Sequence, residues 1–130
     1  MKYLIDTDWV IHYLRGAEKV VNRLLFLKEE GLAISVISLA EVYEGVYRSA
    51  DPHSNERVLK DFLTGVSVLG INEEMCKVFG KEKERLRSGG ELIGDFDLLI
   101  ASTCLYYNLI LLTDNIKHFQ KVEKLTILSQ

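Results

Sequence analysis

Cysteine, histidine and proline are scarce in this chain, and each scarcity removes a class of protein. The two cysteines, Cys76 and Cys104, stand far apart and form no CxxC pair. A disulfide scaffold is therefore excluded, and the expectation is two buried thiols in a reduced, cytosolic protein. His12, His53 and His118 lack the spacing of a metal-binding pair, which argues against a histidine-based zinc site. With one proline and 48% hydrophobic residues, the 130 residues cannot be a disordered tail and read as one compact domain. Positive charge is not in surplus either, because 16 Lys+Arg face 19 Asp+Glu. No global basic signature for nucleic acid exists, which leaves a local basic face or a bridging metal.

Long apolar runs are also missing. Lys2 and Asp6 bracket a first run too short for a signal peptide. The longest uncharged stretch, LLIASTCLYYNLILLT at 98–113, falls short of the roughly 20 residues that span a bilayer, and Asn108 interrupts it. No repeat, linker or low-complexity tract is present, and no membrane association is expected.

What is there alternates between strand and helix patterns. KYLID at 2–6 reads as a strand, after which Asp8 caps a short helix ended by Gly16. Apolar residues at 20, 21, 24, 25 and 27 form a helical stripe that Gly31 terminates. A second strand is expected at 32–36. Ser38 and Glu41 then match the S-x-x-E capping box of a helix beginning at 38. A turn at Asp51-Pro52, a helix over 53–65 and a strand over 66–71 follow. Asn72 opens another helix, which Gly89 and Gly90 end. A helix over 96–107 is preceded by Gly94 and Asp95, and it leads to a strand at 109–113, a helical turn at 116–119 and a last strand at 125–129. Such alternation predicts βαβ units and a parallel sheet covered on both faces.

In open parallel sheets, ligands bind beyond the carboxyl ends of the strands. Asp6 and Asp8 follow the first strand, Glu41 lies in the helix after the second, and Asp114 follows the fourth. Asp95 and Asp97 open the helix before the fourth strand. Carboxylates from four distant segments thus meet at one edge, where like charges raise one another's pKa unless a cation intervenes. Mg2+ or Mn2+, hard ions that prefer oxygen, would resolve the conflict and support displacement at phosphorus. Each acid also has a plain structural reading: Asp8 and Asp95 as caps, Glu41 as the partner of Ser38, Asp114 as a turn residue. Thr7 and Ser38 are short hydroxyls placed to orient carboxylates. In KEKERLR at 81–87, Lys81, Lys83, Arg85 and Arg87 read either as a solvated helix face or as phosphate contacts.

Four blocks, YLIDTDWV, ISVISLAEVYEGVYRS, IGDFDLLIAS and LLTDNIKHF, resemble in order and spacing those of PIN-domain ribonucleases, most closely the VapC-type toxins of toxin–antitoxin pairs. The resemblance implies a three-layer α/β/α sandwich with a mainly parallel sheet of four to five strands. It implies a Mg2+- or Mn2+-dependent endoribonuclease, dimeric and silenced by a VapB-type antitoxin. Carried over by motif, the acids are Asp6, Glu41 and Asp97, and the fourth position falls on Asn115 or the adjacent Asp114. Two other readings compete. LIDTDWV fits the D-x-D-x-[TV] pattern of HAD-type phosphatases, with Asp6 as nucleophile, although the late acidic motif of that class should follow a strand. A PIN-like module that only binds a partner is the second.

Overall fold

The computed structural model describes residues 1–130. Its elements, in chain order, are β1 (Tyr3–Ile5), α1 (Thr7–Leu14), α2 (Glu18–Leu27), β2 (Leu32–Ser35), α3 (Val36–Arg48), α4 (Pro52–Leu63), β3 (Val66–Leu69), α5 (Glu73–Ser88), α6 (Asp95–Tyr107), β4 (Ile110–Leu112), α7 (Ile116–Phe119) and β5 (Ile127–Leu128), with a single 3-10 turn at Lys28–Glu30. The five strands form one sheet in the order β3-β2-β1-β4-β5, and every pairing is parallel.

Alternation along the strands sorts the core into two layers, because successive strand side chains point to opposite faces. Tyr3, Ile5, Ile34 and Leu112 face one side, where they pack with Trp9 and Val10 of α1, Leu24 of α2, Val42 of α3 and Leu59 of α4. Leu4, Ala33 and Leu111 face the other, against Leu86 of α5, Leu98, Ile100 and Cys104 of α6 and Phe119 of α7. The sheet is thus a middle layer between helices, the expected three-layer sandwich. α6 buries most of its circumference, with even its polar Ser102 and Thr103 inside. Their hydroxyls donate to the carbonyls of Leu98 and Leu99 one turn back, which removes the cost of burying them.

Glycine is required at one turn. Gly31 enters β2 with φ +96°, and a Cβ there would lie 2.6 Å from the Met1 Cα. Its carbonyl accepts from both Lys2 and Tyr3 N–H at 3.1 Å, so the turn positions the start of β1 beside β2.

Several local expectations are corrected. The capping box at Ser38 and Glu41 does not form. Ser35, at the end of β2, caps α3 instead, with Oγ accepting the Ile37 N–H at 3.0 Å. Strand passes into helix without a loop, so Ser38 lies inside α3 and Glu41 in its second turn. Asp8 does not cap α1; Asp6 does, and Asp8 falls in the first turn. Asp95 does not cap α6 either, since Gly94 occupies that position. α4 begins at Pro52, with Asp51 capping through the Ser54 N–H; proline suits a first helical position because that N–H has no partner anyway. Of the two thiols only Cys104 is buried, while Cys76 sits exposed on α5. The final strand is two residues long rather than five.

The sheet order determines where a ligand can enter. From β1 the chain builds outward through β2 to β3, then returns to place β4 on the free side of β1. The carboxyl ends of β1 and β4 therefore flank the point where connections diverge, which is where open α/β sheets form a crevice.

Candidate active site

Asp6 emerges from β1 at that crevice. Its backbone N–H donates to the Leu112 carbonyl of β4 at 2.9 Å. Its side chain is only 5% exposed and accepts two hydrogen bonds, from the Thr7 N–H at 2.8 Å on Oδ1 and from the Thr113 hydroxyl at 2.7 Å on Oδ2. Thr113, fully buried, also accepts the Asn115 N–H at 3.0 Å, so one hydroxyl joins the β1 edge, the β4 edge and the loop beyond. Burial pushes the Asp6 carboxyl up to about 7, helped by the negative charges of Asp8 and Asp97 and opposed by the bonds from Thr113 and Thr7.

The other acids arrive from separate elements. Glu41 reaches from α3, and its Oε1 accepts from the Thr7 hydroxyl at 2.6 Å. Asp97, in the first turn of α6, lies where the helix dipole favours a negative charge. Its Oδ2 is 3.4 Å from His118 Nδ1 on α7, and that nitrogen is 3.0 Å from Asn115 Nδ2. Thr7 thus links the Asp6 and Glu41 corners, while Asn115 and His118 stand at the Asp97 corner. Asp95 turns away to pair with Lys83.

Asp8 and Asp114 form a flank. Asp8 accepts the Trp9 N–H at 2.8 Å, and burial raises its pKa, with Asp114 adding to the rise. Asp114 is held by Gln130, whose backbone N–H donates to Oδ1 at 3.0 Å and whose side-chain amide donates to Oδ2. Partial burial pushes the Asp114 carboxyl up, but these donors outweigh it and the net direction is down. Of the two candidates for the fourth position, Asn115 therefore has its side chain beside Asp97, whereas that of Asp114 is engaged by Gln130.

The remaining candidates are placed as follows. Ser38 is fully buried, and its hydroxyl has no partner in the protein. The basic run on α5 is largely consumed by ion pairs. Arg85 makes two bonds to Glu82, at 2.8 and 2.7 Å, and one to the Lys121 carbonyl. Arg87 lies near Glu84, and Lys83 is spent on Asp95. Lys81 instead lines a hollow with Leu105, Asn108 and Thr126, beside the amino ends of β4 and β5 and away from the acids. Sequence reasoning missed His118 and the structural role of Thr113. The one signal for His118 is its position three residues after Asn115, a helical spacing.

The donor set suits a hard divalent cation. Asp6, Asp8, Glu41, Asp97 and Asp114 make no ion pair with lysine or arginine, and the cation-forming neighbours are His118 beside Asp97 and His12 near Asp8 and Asp114. Carboxylates gathered with no lysine or arginine among them, the buried Asp6 at their centre, offer the oxygen donors that Mg2+ or Mn2+ binds. No three His, Cys, Asp or Glu side chains converge on one point, which suits an ion held by one or two carboxylates and otherwise by water.

This geometry can be set beside known proteins. The PIN domain family matches residues 3–125. The chain belongs to the PIN-domain family. Ribonuclease VapC1 of Haemophilus influenzae (strain R2866) is 32% identical over 127 residues, covering 96% of this chain and 95% of that one. The tRNA(fMet)-specific endonuclease VapC of Shigella flexneri is 26% identical over 94% of this chain and 92% of its own. Among solved structures, VapBC2 from Rickettsia felis, bound to a DNA fragment from its promoter, superposes with a TM-score of 0.93 at 30% identity, covering 100% of this chain and 99% of that one. Membership in the PIN family removes the HAD-type phosphatase reading, and the start of α6 at Asp95 agrees, because GDFD opens a helix rather than following a strand. No helix is long and apolar enough to cross a membrane.

Proposed function

We propose that this chain is a VapC-type toxin, a cytoplasmic endoribonuclease that depends on Mg2+ or Mn2+ and acts as one PIN-like unit. The observation that carries the reading is the buried Asp6 carboxylate, locked by Thr113 at the switch point of the sheet and surrounded by acids that no lysine or arginine neutralises. The printed names of the relatives, ribonuclease and tRNA-specific endonuclease, support RNA as the substrate. The VapBC complexes among the structural neighbours support a VapB-like antitoxin as partner.

Asp6 and Asp97 would hold the cation, with Glu41 and the carbonyl oxygen of Asn115 completing the donor set. When bound, the ion supplies Lewis acidity at the phosphate and offsets the charge of the five-coordinate transition state. The chain's own groups do the rest. Thr113 and the Thr7 N–H hold Asp6 in one rotamer, so orientation is set before substrate arrives. Glu41, steadied by the Thr7 hydroxyl, accepts a hydrogen bond from the attacking water and takes its proton. The water oxygen bonds to phosphorus, the P–O3′ bond breaks, the departing O3′ takes a proton from solvent and Glu41 returns its own to solvent, leaving 5′-phosphate and 3′-hydroxyl ends.

The test is cleavage of tRNA and unstructured RNA by purified chain freed of inhibitor, with Mn2+ or with EDTA. Cleavage is expected only with metal, and Asp97→Asn should abolish it while Asp95→Asn, at an acid already paired to Lys83, retains most of it. Undiminished cleavage in excess chelator would exclude the metal mechanism. No cleavage of any RNA together with no Mn2+-induced rise in melting temperature would favour a binding-only module.

A further inference from the structure

A cleft opens beside Asp97 and takes no part in holding Asp6. It is lined by Leu92, Ile93, Gly94, Asp95, His118 and Lys121 and has a volume of about 440 Å³, within the range of small-ligand pockets, roughly 300–1,000 Å³. His118 stands where the cleft meets the carboxylates. Its Nδ1 faces Asp97 and Asn115, while Nε2 has no partner in the protein and the side chain is 56% exposed. The loop that forms the opposite wall is tied down, since Lys121 Nζ donates to the Leu92 carbonyl at 2.9 Å and Lys83 pairs with Asp95. Leu92 on the cleft wall is nevertheless 81% exposed, and Phe96, the residue after the cleft's Asp95 in the first turn of α6, is 56% exposed.

Uncovered apolar side chains beside ammonium groups are what single-stranded nucleic acid uses, with bases against the apolar surface and phosphates near the cations. Across the crevice the edge is acidic, with Asp8 and Asp114, and repels a phosphate chain. Approach is favoured where Lys121 and His118 lie, since Lys83 neutralises Asp95 on the cleft wall. The geometry points to this cleft as the subsite for the nucleotide next to the scissile phosphate of single-stranded RNA. His118 Nε2 and Lys121 face its sugar and phosphate, and Leu92 and Phe96 face its base. The inference rests on the ribonuclease reading and adds to it the place where substrate is gripped.

Leu92→Ser and Phe96→Ala test it, because both side chains are exposed and neither supports the core. Two measurements are made on the full chain: steady-state cleavage of a fluorogenic single-stranded RNA with Mn2+, and anisotropy of a labelled RNA of the same sequence in EDTA. Phe96→Ala should raise KM and the RNA dissociation constant by about tenfold, the scale of one lost stacking contact, and Leu92→Ser should raise both by a smaller factor, about threefold, from lost apolar contact. kcat and the Mn2+-induced rise in melting temperature should stay as in wild type, the signature of lost binding rather than lost chemistry. His118→Ala should weaken RNA binding in EDTA as well. Unchanged KM and affinity in Leu92→Ser and Phe96→Ala would overturn the subsite while leaving the ribonuclease reading intact. So would a loss confined to kcat with a smaller Mn2+ response, which would place these side chains with the carboxylates. If wild type binds RNA and the variants bind it less, but nothing is cleaved, the subsite stands and the nuclease reading falls. If wild type neither binds nor cleaves RNA, both fall.

Discussion

Replacing Asp6 by asparagine isolates the cost of keeping a carboxylate where this fold keeps it. Burial, with Asp8 and Asp97 nearby, raises the Asp6 pKa from 3.8 to about 7. At 1.36 kcal/mol per pH unit, that rise corresponds to about 4 kcal/mol. The sign follows from proton binding. Between roughly pH 4 and pH 7 the folded state holds a proton that the unfolded state has released, so stability falls as pH rises through that window. Below it both forms are protonated and the contribution is fully present; above it the contribution is lost. Asparagine does not titrate, so the variant lacks this slope. It does carry a penalty of its own, because Thr7 N–H and Thr113 O–H both donate to Asp6 and an amide offers one acceptor oxygen. The Thr113 proton loses its acceptor, at about 1–2 kcal/mol. Metal-free Asp6→Asn should therefore be more stable than wild type at pH 8 by about 2–3 kcal/mol, and slightly less stable near pH 4.5. For a chain of this size that is a rise in melting temperature of roughly 5–12 °C at pH 8. Mn2+ should reverse the order at pH 8, because ligand-linked stabilisation requires the carboxylate. The assay is thermal melting in EDTA from pH 4.5 to 8.5, repeated with Mn2+. A difference between the two proteins that does not change with pH, or a wild type more stable at pH 8 without metal, would refute the account of Asp6.

Three further outcomes follow from the same geometry. Glu41→Gln keeps an acceptor for the Thr7 hydroxyl, so its melting temperature in EDTA should match wild type, while cleavage drops by about a hundredfold or more; wild-type cleavage rates would remove Glu41 from the site. Thr113→Val preserves shape but takes the donor from Asp6 and the acceptor from the Asn115 N–H, which should lower stability in urea titrations by about 2–3 kcal/mol, with Thr113→Ser restoring most of it; equal loss in both variants would mean that the methyl group matters and the hydroxyl does not. Gly31→Ala places a Cβ against the Met1 backbone at φ +96° and should cost more than about 1 kcal/mol by the same titration, whereas an unchanged midpoint would show that the β1–β2 turn tolerates a side chain.

The layered architecture was legible because alternation of strand and helix patterns is a local signal and the two-residue period within β1 assigns Tyr3 and Ile5 to one face and Leu4 to the other. The acids were legible as a group because strand ends can be counted without knowing the sheet order. What escaped depended on contacts across the chain. Glu41 matched a capping signature by spacing alone, yet Ser35 had already started the helix and Thr7 claimed the glutamate. Thr113 carried no motif, since its role exists only once β4 lies beside β1. His118 was scanned for metal-ligand spacing, whereas its neighbours are Asp97 and Asn115. The basic run on α5 was readable in part, since Arg85 pairs with Glu82 and Arg87 lies near Glu84 at helical spacing, whereas the pairing of Lys83 with Asp95 depends on a neighbouring element.

The Thr113–Asp6 hydrogen bond joins residues 107 positions apart, and this separation has a temporal meaning. During synthesis Asp6 emerges first and its partner follows 107 residues later. Contacts of such long range form late, because loop closure must be offset before they contribute. Until β4 docks against β1, Asp6 has no Thr113, Asp97 has no His118, and the acids belong to a chain still being made. In a growing chain the carboxylate corner therefore stays unassembled until Thr113 is available to dock, so the site is a product of the completed sheet and not of any one segment.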